Sequence, residues 1–198
     1  MRHPFRLRWL IPGTMLLILG GARSSLAQEV AIKAGLDTAS LSFDTREGEG
    51  AGRHGWIAGA SVFLLGADRG GWQMEALVVQ KGGRDLLREG DEVQLTYLEI
   101  PVVLHADVWQ RRASAVYFLI GPSLAVNLHS SYAAGGAEED ISDDVSRVDF
   151  GATFGGGVEL GPLVLDARYI VGLTSALTTE TVVFRNRTFA VTAGFRFR

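Results

Sequence analysis

Side chains two apart share a face of an extended chain, so the alternation from Val148 to Gly172 is satisfied by strands and not by a helix. Val148, Phe150, Ala152, Phe154, Gly156, Val158 and Leu160 fall on one side; Asp149, Gly151, Thr153, Gly155, Gly157 and Glu159 fall on the other. Gly161-Pro162 turns the chain. Leu163, Leu165, Ala167, Tyr169 and Val171 then continue the apolar face, with Asp166, Arg168 and Gly172 on the polar one. A strand with one side in bulk water usually carries Lys, Glu and Thr there. Here that side is glycine and a few charges, which suits a crowded interior, while the opposite side is broad and aromatic, as if it met hydrocarbon. Each arm has the length of about 9–11 tilted residues with which a transmembrane strand crosses a bilayer.

The start of the chain points to export. Arg2, His3, Arg6 and Arg8 are positive, Leu10 to Gly21 is mostly apolar, and Ser25-Leu26-Ala27 reads as a cleavage site before Gln28. The expected organisation is a leader over 1–27 and one barrel domain over 28–198. Removing residues 1–27 takes four arginines and no acid from the 19 basic and 22 acidic residues, which leaves a net charge of −7 and argues against nucleic acid as a partner. The chain has no cysteine, which excludes a disulfide scaffold, a thiolate metal site and a lipid-modified cysteine. After the leader the longest apolar run, Ala113 to Val126, is broken by Gly121-Pro122. A membrane-embedded form must therefore close a barrel, because lipid offers nothing to an unpaired backbone N–H or C=O.

Taken in order, alternation predicts strands near Val30–Leu36, Trp56–Leu64, Gly71–Lys81, Val93–Trp109, Ala113–Ser130, the two arms already described, and Thr188–Phe197. Pro101, lacking a donor, should mark a bulge or an interrupted ladder position. The expected fold class is all-β, an eight-stranded antiparallel up-and-down transmembrane β-barrel. Connections after the second, fourth and sixth strands are short; the others are longer and mostly polar, including an acidic loop from Ala133 to Ser146. Outer-membrane barrels show this asymmetry, with short periplasmic turns and long outer loops. Trp72, Trp109 and Phe197 fall toward the turn ends of their strands and Trp56, Phe150 and Phe189 toward the loop ends, as two interfacial girdles.

Several short motifs carry a resemblance. Tyr97-Leu98-Glu99-Ile100-Pro101, Gly121-Pro122, Asp149-Phe150-Gly151, Gly156-Gly157-Val158-Glu159, Ala167-Arg168-Tyr169 with Gly172-Leu173, and Gly194-Phe195-Arg196-Phe197 together resemble the PorT-like outer-membrane β-barrel family of the Bacteroidota and their relatives. The resemblance spans nearly all of the mature chain. It implies an eight-stranded barrel in the outer membrane, in a family whose members mostly lack an assigned activity and of which one branch takes part in secretion and gliding. Outer-membrane strands commonly end on an aromatic, whereas here Phe197 is followed by Arg198.

An eight-stranded barrel encloses just enough room for its own side chains, so the inward charges must pair. Lys33, Glu75, Glu99, Glu159, Asp166, Arg168 and Arg196 are the expected lumen network, with Arg168 and Arg196 engaging Asp166, Glu159, Glu99 or Glu75. No cofactor, metal or catalytic residue is predicted. Calcium at the acidic loop lacks the glycine-interrupted spacing of an EF-hand. His129 and Ser130 are adjacent on a strand, so they point to opposite faces and cannot act as base and nucleophile. The expected partners are outer-membrane lipid, the barrel-assembly machinery and a secretion or envelope complex reached through the outer loops. The alternatives are a soluble lipocalin-like barrel holding an apolar ligand and an outer-membrane lipid-modifying hydrolase.

Overall fold

The computed structural model describes residues 29–43, 52–67, 70–84, 90–134, 137–142, 145–174 and 184–197. The leader expected over 1–27 and the terminal Arg198 lie outside the described residues. The regular elements are all strands: β1 (Val30–Phe43), β2 (Arg53–Ala67), β3 (Gly70–Arg84), β4 (Glu92–Arg111), β5 (Ser114–Ala134), β6 (Ala137–Asp140), β7 (Val148–Leu160), β8 (Leu163–Gly172) and β9 (Phe184–Phe197). Every pairing is antiparallel. β5 pairs with β4 on one edge and β7 on the other, and β1 pairs with β9 from Val30↔Phe197 to Phe43↔Phe184, which closes eight strands into a ring. β6 stands outside the ring, paired with the end of β5 from Ser131↔Asp140 to Ala134↔Ala137.

The alternation fixes which side faces out. Ile32, Met74, Leu104, Phe118, Ile120, Phe154, Leu165, Val191 and Phe195 are large apolar side chains left exposed on the wall, Ile120 by 52%. A soluble chain would bury such a surface; a membrane barrel presents it to acyl chains. Trp72, Trp109 and Phe197 ring the end carrying the short turns, and Trp56, Phe150 and Phe189 ring the end carrying the long connections. This is the inverse of a lipocalin-like barrel, whose ligand-holding interior would be apolar and whose outer wall would be polar.

Several strands run further than their alternation suggested. β1 continues to Phe43, β4 begins at Glu92, and β5 reaches Ala134 before hairpinning into β6, where a solvated acidic loop was expected. On β4 the reason is visible: Leu98, Ile100, Val102, Leu104 and Val108 face lipid, but Glu92, Gln94 and Thr96 face out above them while Val93, Leu95 and Tyr97 are buried inside. The apolar side changes face, as it must where a strand leaves hydrocarbon for water. Pro101 interrupts the β3–β4 ladder, which skips from Met74↔Val102 to Leu77↔Glu99, and Pro122 does the same between β4 and β5.

At several positions the geometry requires glycine. Gly161, with φ of 63°, makes the β7–β8 turn. Gly157 lies beneath the Tyr117 ring, where an added Cβ would sit 2.6 Å from the phenolic oxygen.

A charge placed near the middle of the lipid-facing wall tests the orientation. Ile120→Arg should lower folding stability in phospholipid vesicles by about 2–4 kcal/mol, read as a lower denaturant midpoint. An unchanged midpoint would mean that Ile120 does not meet hydrocarbon.

Candidate functional site

Among the described residues, most of the buried charged side chains lie in the lumen, and they are layered. At the lumen's centre Lys33 on β1, Glu75 on β3, and Asp166 and Arg168 on β8 form a quartet. Lys33 Nζ lies 2.8 Å from Glu75 and 3.1 Å from Asp166; Arg168 lies 2.9 Å from Asp166 and also engages Glu75. Gln73 donates from Nε2 to Glu75 at 2.6 Å. Two cations meet two anions, so the group is neutral. That neutrality and the dense hydrogen bonding offset the several kcal/mol per ion that desolvation costs.

Toward the turn end, Arg196 on β9 reaches Glu159 on β7 and, at 3.0 Å, Glu29. His105 Nε2 is 3.3 Å from Asp107 and 3.7 Å from Glu159, and its Nδ1 is 3.2 Å from Gln73 Oε1. The imidazole stacks on Tyr117 at 4.1 Å and meets the edge of Phe63. The pocket among Glu29, Lys33, Ser61, His105, Glu159 and Arg196 has room for about one water molecule.

Toward the outer end the quartet gives way to a packed apolar group, Ile57, Leu77, Val79 and Ala190; a second, Val103, Tyr117, Leu119 and Val164, includes two of the side chains that line the His105 pocket on the turn side. Above the first group Lys81 pairs with Glu99 at 2.5 Å and lies over the Tyr97 ring. Asp149 accepts from the Thr174 hydroxyl at 2.5 Å. The outer mouth is then filled by Val93, Leu95, Tyr97, Ala125 and Val145, with Tyr132 and Ile141 packed on them. Val145 and Ile141 come from the segment expected to be a solvated loop. Bonds from Ser130 N to the Ser142 hydroxyl (3.1 Å) and from Ile141 N to Ser130 O (3.1 Å) fold that segment back over the mouth.

The seven residues expected to form one network thus fall into three groups by direct contact. Lys33, Glu75, Asp166 and Arg168 come together, Glu159 and Arg196 meet at the turn end, and Glu99 stands apart from both arginines, with Lys81. The apolar layers and the Val145 cap were not anticipated. The signal for the cap was present in the apolar parity of Val93, Leu95 and Tyr97, opposite to that of Leu98 and Ile100. Among the described residues no cluster of three or more metal-ligating side chains forms. His129 is exposed and Ser130 buried, on opposite sides of the wall. Both nitrogens of the inward His105 face Gln73 and carboxylates rather than a hydroxyl.

Outside the membrane band Arg53 donates to Glu92 at 2.6 Å and to Gln94 at 2.6 Å, and Arg84 approaches the other Glu92 oxygen at 3.2 Å. The Arg53 hydrogen bond holds the Glu92 carboxyl below the usual glutamate range.

A family profile described as outer membrane protein beta-barrel domain matches residues 26–178 of this sequence. No curated protein matches it. Among solved structures, Neisserial surface protein A is similar at 16% identity over 85% of this chain and 97% of that one, with a TM-score of 0.54. Ail of Yersinia pestis is similar at 16% identity over 86% and 99% of the two chains, with a TM-score of 0.49. OprG of Pseudomonas aeruginosa is similar at 14% identity over 87% and 97%, also with a TM-score of 0.49. At these identities the likeness to the Neisserial protein is one of fold.

Removing one partner of the quartet strands a buried charge. Arg168→Met leaves Glu75 and Asp166 against Lys33 alone and should cost about 3–5 kcal/mol of unfolding free energy, measured by denaturant titration in vesicles; a loss within error would show that the charges are solvated. At the rim, a carboxyl whose folded pKa is depressed adds stability above its unfolded pKa and loses it as pH falls through the folded value. Carbon-detected NMR should find Glu92 titrating below an ordinary glutamate, and Arg53→Met should return it toward the ordinary value.

Proposed function

The chain belongs to the outer membrane protein beta-barrel domain family, and from that premise we propose that this integral outer-membrane barrel is a scaffold for interaction rather than a conduit or a catalyst. The observation that carries the reading is the filled lumen. A neutral ion quartet, apolar layers and a folded-back cap occupy its length, and the turn-end pocket admits about one water. Solute passage would require moving groups held by packing and by charge pairs at once. With the interior committed to stability, specificity falls to the outer connections around residues 44–51, 85–89, 135–147 and 175–183.

The finer assignment, a PorT-like barrel of the Bacteroidota type exported by a leader cleaved after Ala27, is supported by the motifs from Tyr97 to Pro101 and from Asp149 to Gly151 and by the leader's composition. Its partners on this reading are membrane lipid, the assembly machinery that receives the Gly194–Phe197 end, and a secretion or envelope complex met by the outer loops. A lipid-modifying hydrolase would need a serine and a histidine on one face. His129 and Ser130 do not offer that arrangement.

The test has two arms. The purified chain should shift in migration on a denaturing gel when unheated and should give no stepwise conductance in planar bilayers; regular conductance steps would sink the scaffold reading. Deleting 135–146 should abolish capture of an envelope partner while the migration shift persists.

A further inference from the structure

The β4–β5 hairpin has three local features that closing a barrel does not require. The register between β4 and β5 shifts between Asp107 and Trp109, a bulge that turns Val108 and Trp109 outward together, 64% and 51% exposed. Bulges re-aim side chains in this way. At the tip, Arg112 has φ of 53°, and it is the one non-glycine residue among those described with a positive φ. A Cβ is disfavoured there, and glycine or asparagine is the usual occupant; the β7–β8 turn uses Gly161. Finally, Arg111 and Arg112 are exposed and take part in no ion pair or side-chain hydrogen bond with another described residue. Among the other described cations, six, Lys33, Lys81, Arg53, Arg84, Arg168 and Arg196, are paired with acids.

The location says what the free cations face. Trp109 belongs to the turn-end girdle, and the tip extends two to three residues beyond it, at about 3.3 Å per residue. That reaches the headgroup layer that borders a hydrocarbon core roughly 30 Å thick. The wall beside the tip is apolar: Ser114 pairs with Leu160, and Leu160 and Leu163 are exposed. A guanidinium fork matches the two free oxygens of a phosphodiester, and two adjacent forks favour a headgroup with net negative charge.

We propose that Arg111 and Arg112 form a binding site for an anionic phospholipid of the periplasmic leaflet, with Trp109 and Val108 against its glycerol and upper acyl region. The bulge directs the aromatic ring to the lipid, and an arginine occupies a backbone position that asparagine would fill more easily. The ligand is a lipid rather than free phosphate because the cations continue directly from an acyl-facing wall.

The experiment is native mass spectrometry of the full mature chain in neutral detergent, titrated separately with phosphatidylglycerol, phosphatidylcholine and inorganic phosphate. One phosphatidylglycerol should be retained in preference to phosphatidylcholine, with retention roughly fivefold lower for each arginine replaced. Arg112→Asn separates the site from the fold: it should lower lipid preference to that extent while keeping or raising the thermal unfolding midpoint, because asparagine accepts the left-handed backbone. Equal retention of the two lipids by the wild type would overturn the proposal, as would undiminished preference in Arg111→Gln and Arg112→Asn. Displacement of the lipid by inorganic phosphate at equal concentration would reassign the site to a free anion.

Discussion

Backbone closure is the constraint from which the remainder of this structure follows. Within hydrocarbon no water is present to satisfy an N–H or C=O, so each strand must be paired along both edges. Eight strands meet that demand when β1 meets β9 and β4 meets β5. Closure at this size leaves an interior that side chains alone can fill. Whatever charges point inward are then confined together, and the quartet is neutral because nothing else is at hand to neutralise it. The inward glycines serve the same confinement, most directly where Tyr117 crosses Gly157.

Which face each residue takes was legible because the period of a strand is two. Lys33, Glu75, Asp166 and Arg168 were assigned inward from alternation, and inward is where they lie. Height along the barrel axis was not legible. It depends on the stagger between strands and on irregularities such as the one at Thr96/Tyr97, across which β4 keeps its alternation unbroken. Glu99 therefore sits level with Lys81 rather than with Arg168. The apolar layers were hidden for another reason: Ala76-Leu77-Val78-Val79 is uniformly apolar, so inward Leu77 and Val79 do not stand out from outward Ala76 and Val78.

β4 shows two kinds of protein on one strand. From Leu98 to Val108 it is built for a bilayer, apolar outside with charges within. From Glu92 to Tyr97 it is built for water, polar outside with a core of Val93, Leu95 and Tyr97 within. The change occurs beside the bulge that leaves Leu128 unpaired on β5, since Thr96 pairs with His129 and Tyr97 with Asn127. The upper part of the wall thus has its own small hydrophobic core, completed by Val145, and that core seals the lumen. An alternating strand read as one uniform pattern misses this, because the switch is a change of face and not of period.

The seam between β1 and β9 joins the residues most distant in sequence, Val30 against Phe197, along the full length of both strands. Contacts of such separation carry a large loop-closure entropy and form late. The cylinder cannot close until the last strand is in place, and a sheet of the preceding seven would have two open edges and an unsheathed apolar face. Exposure of that face before closure is then unavoidable. The seam makes it a property of the topology, independent of any particular side chain.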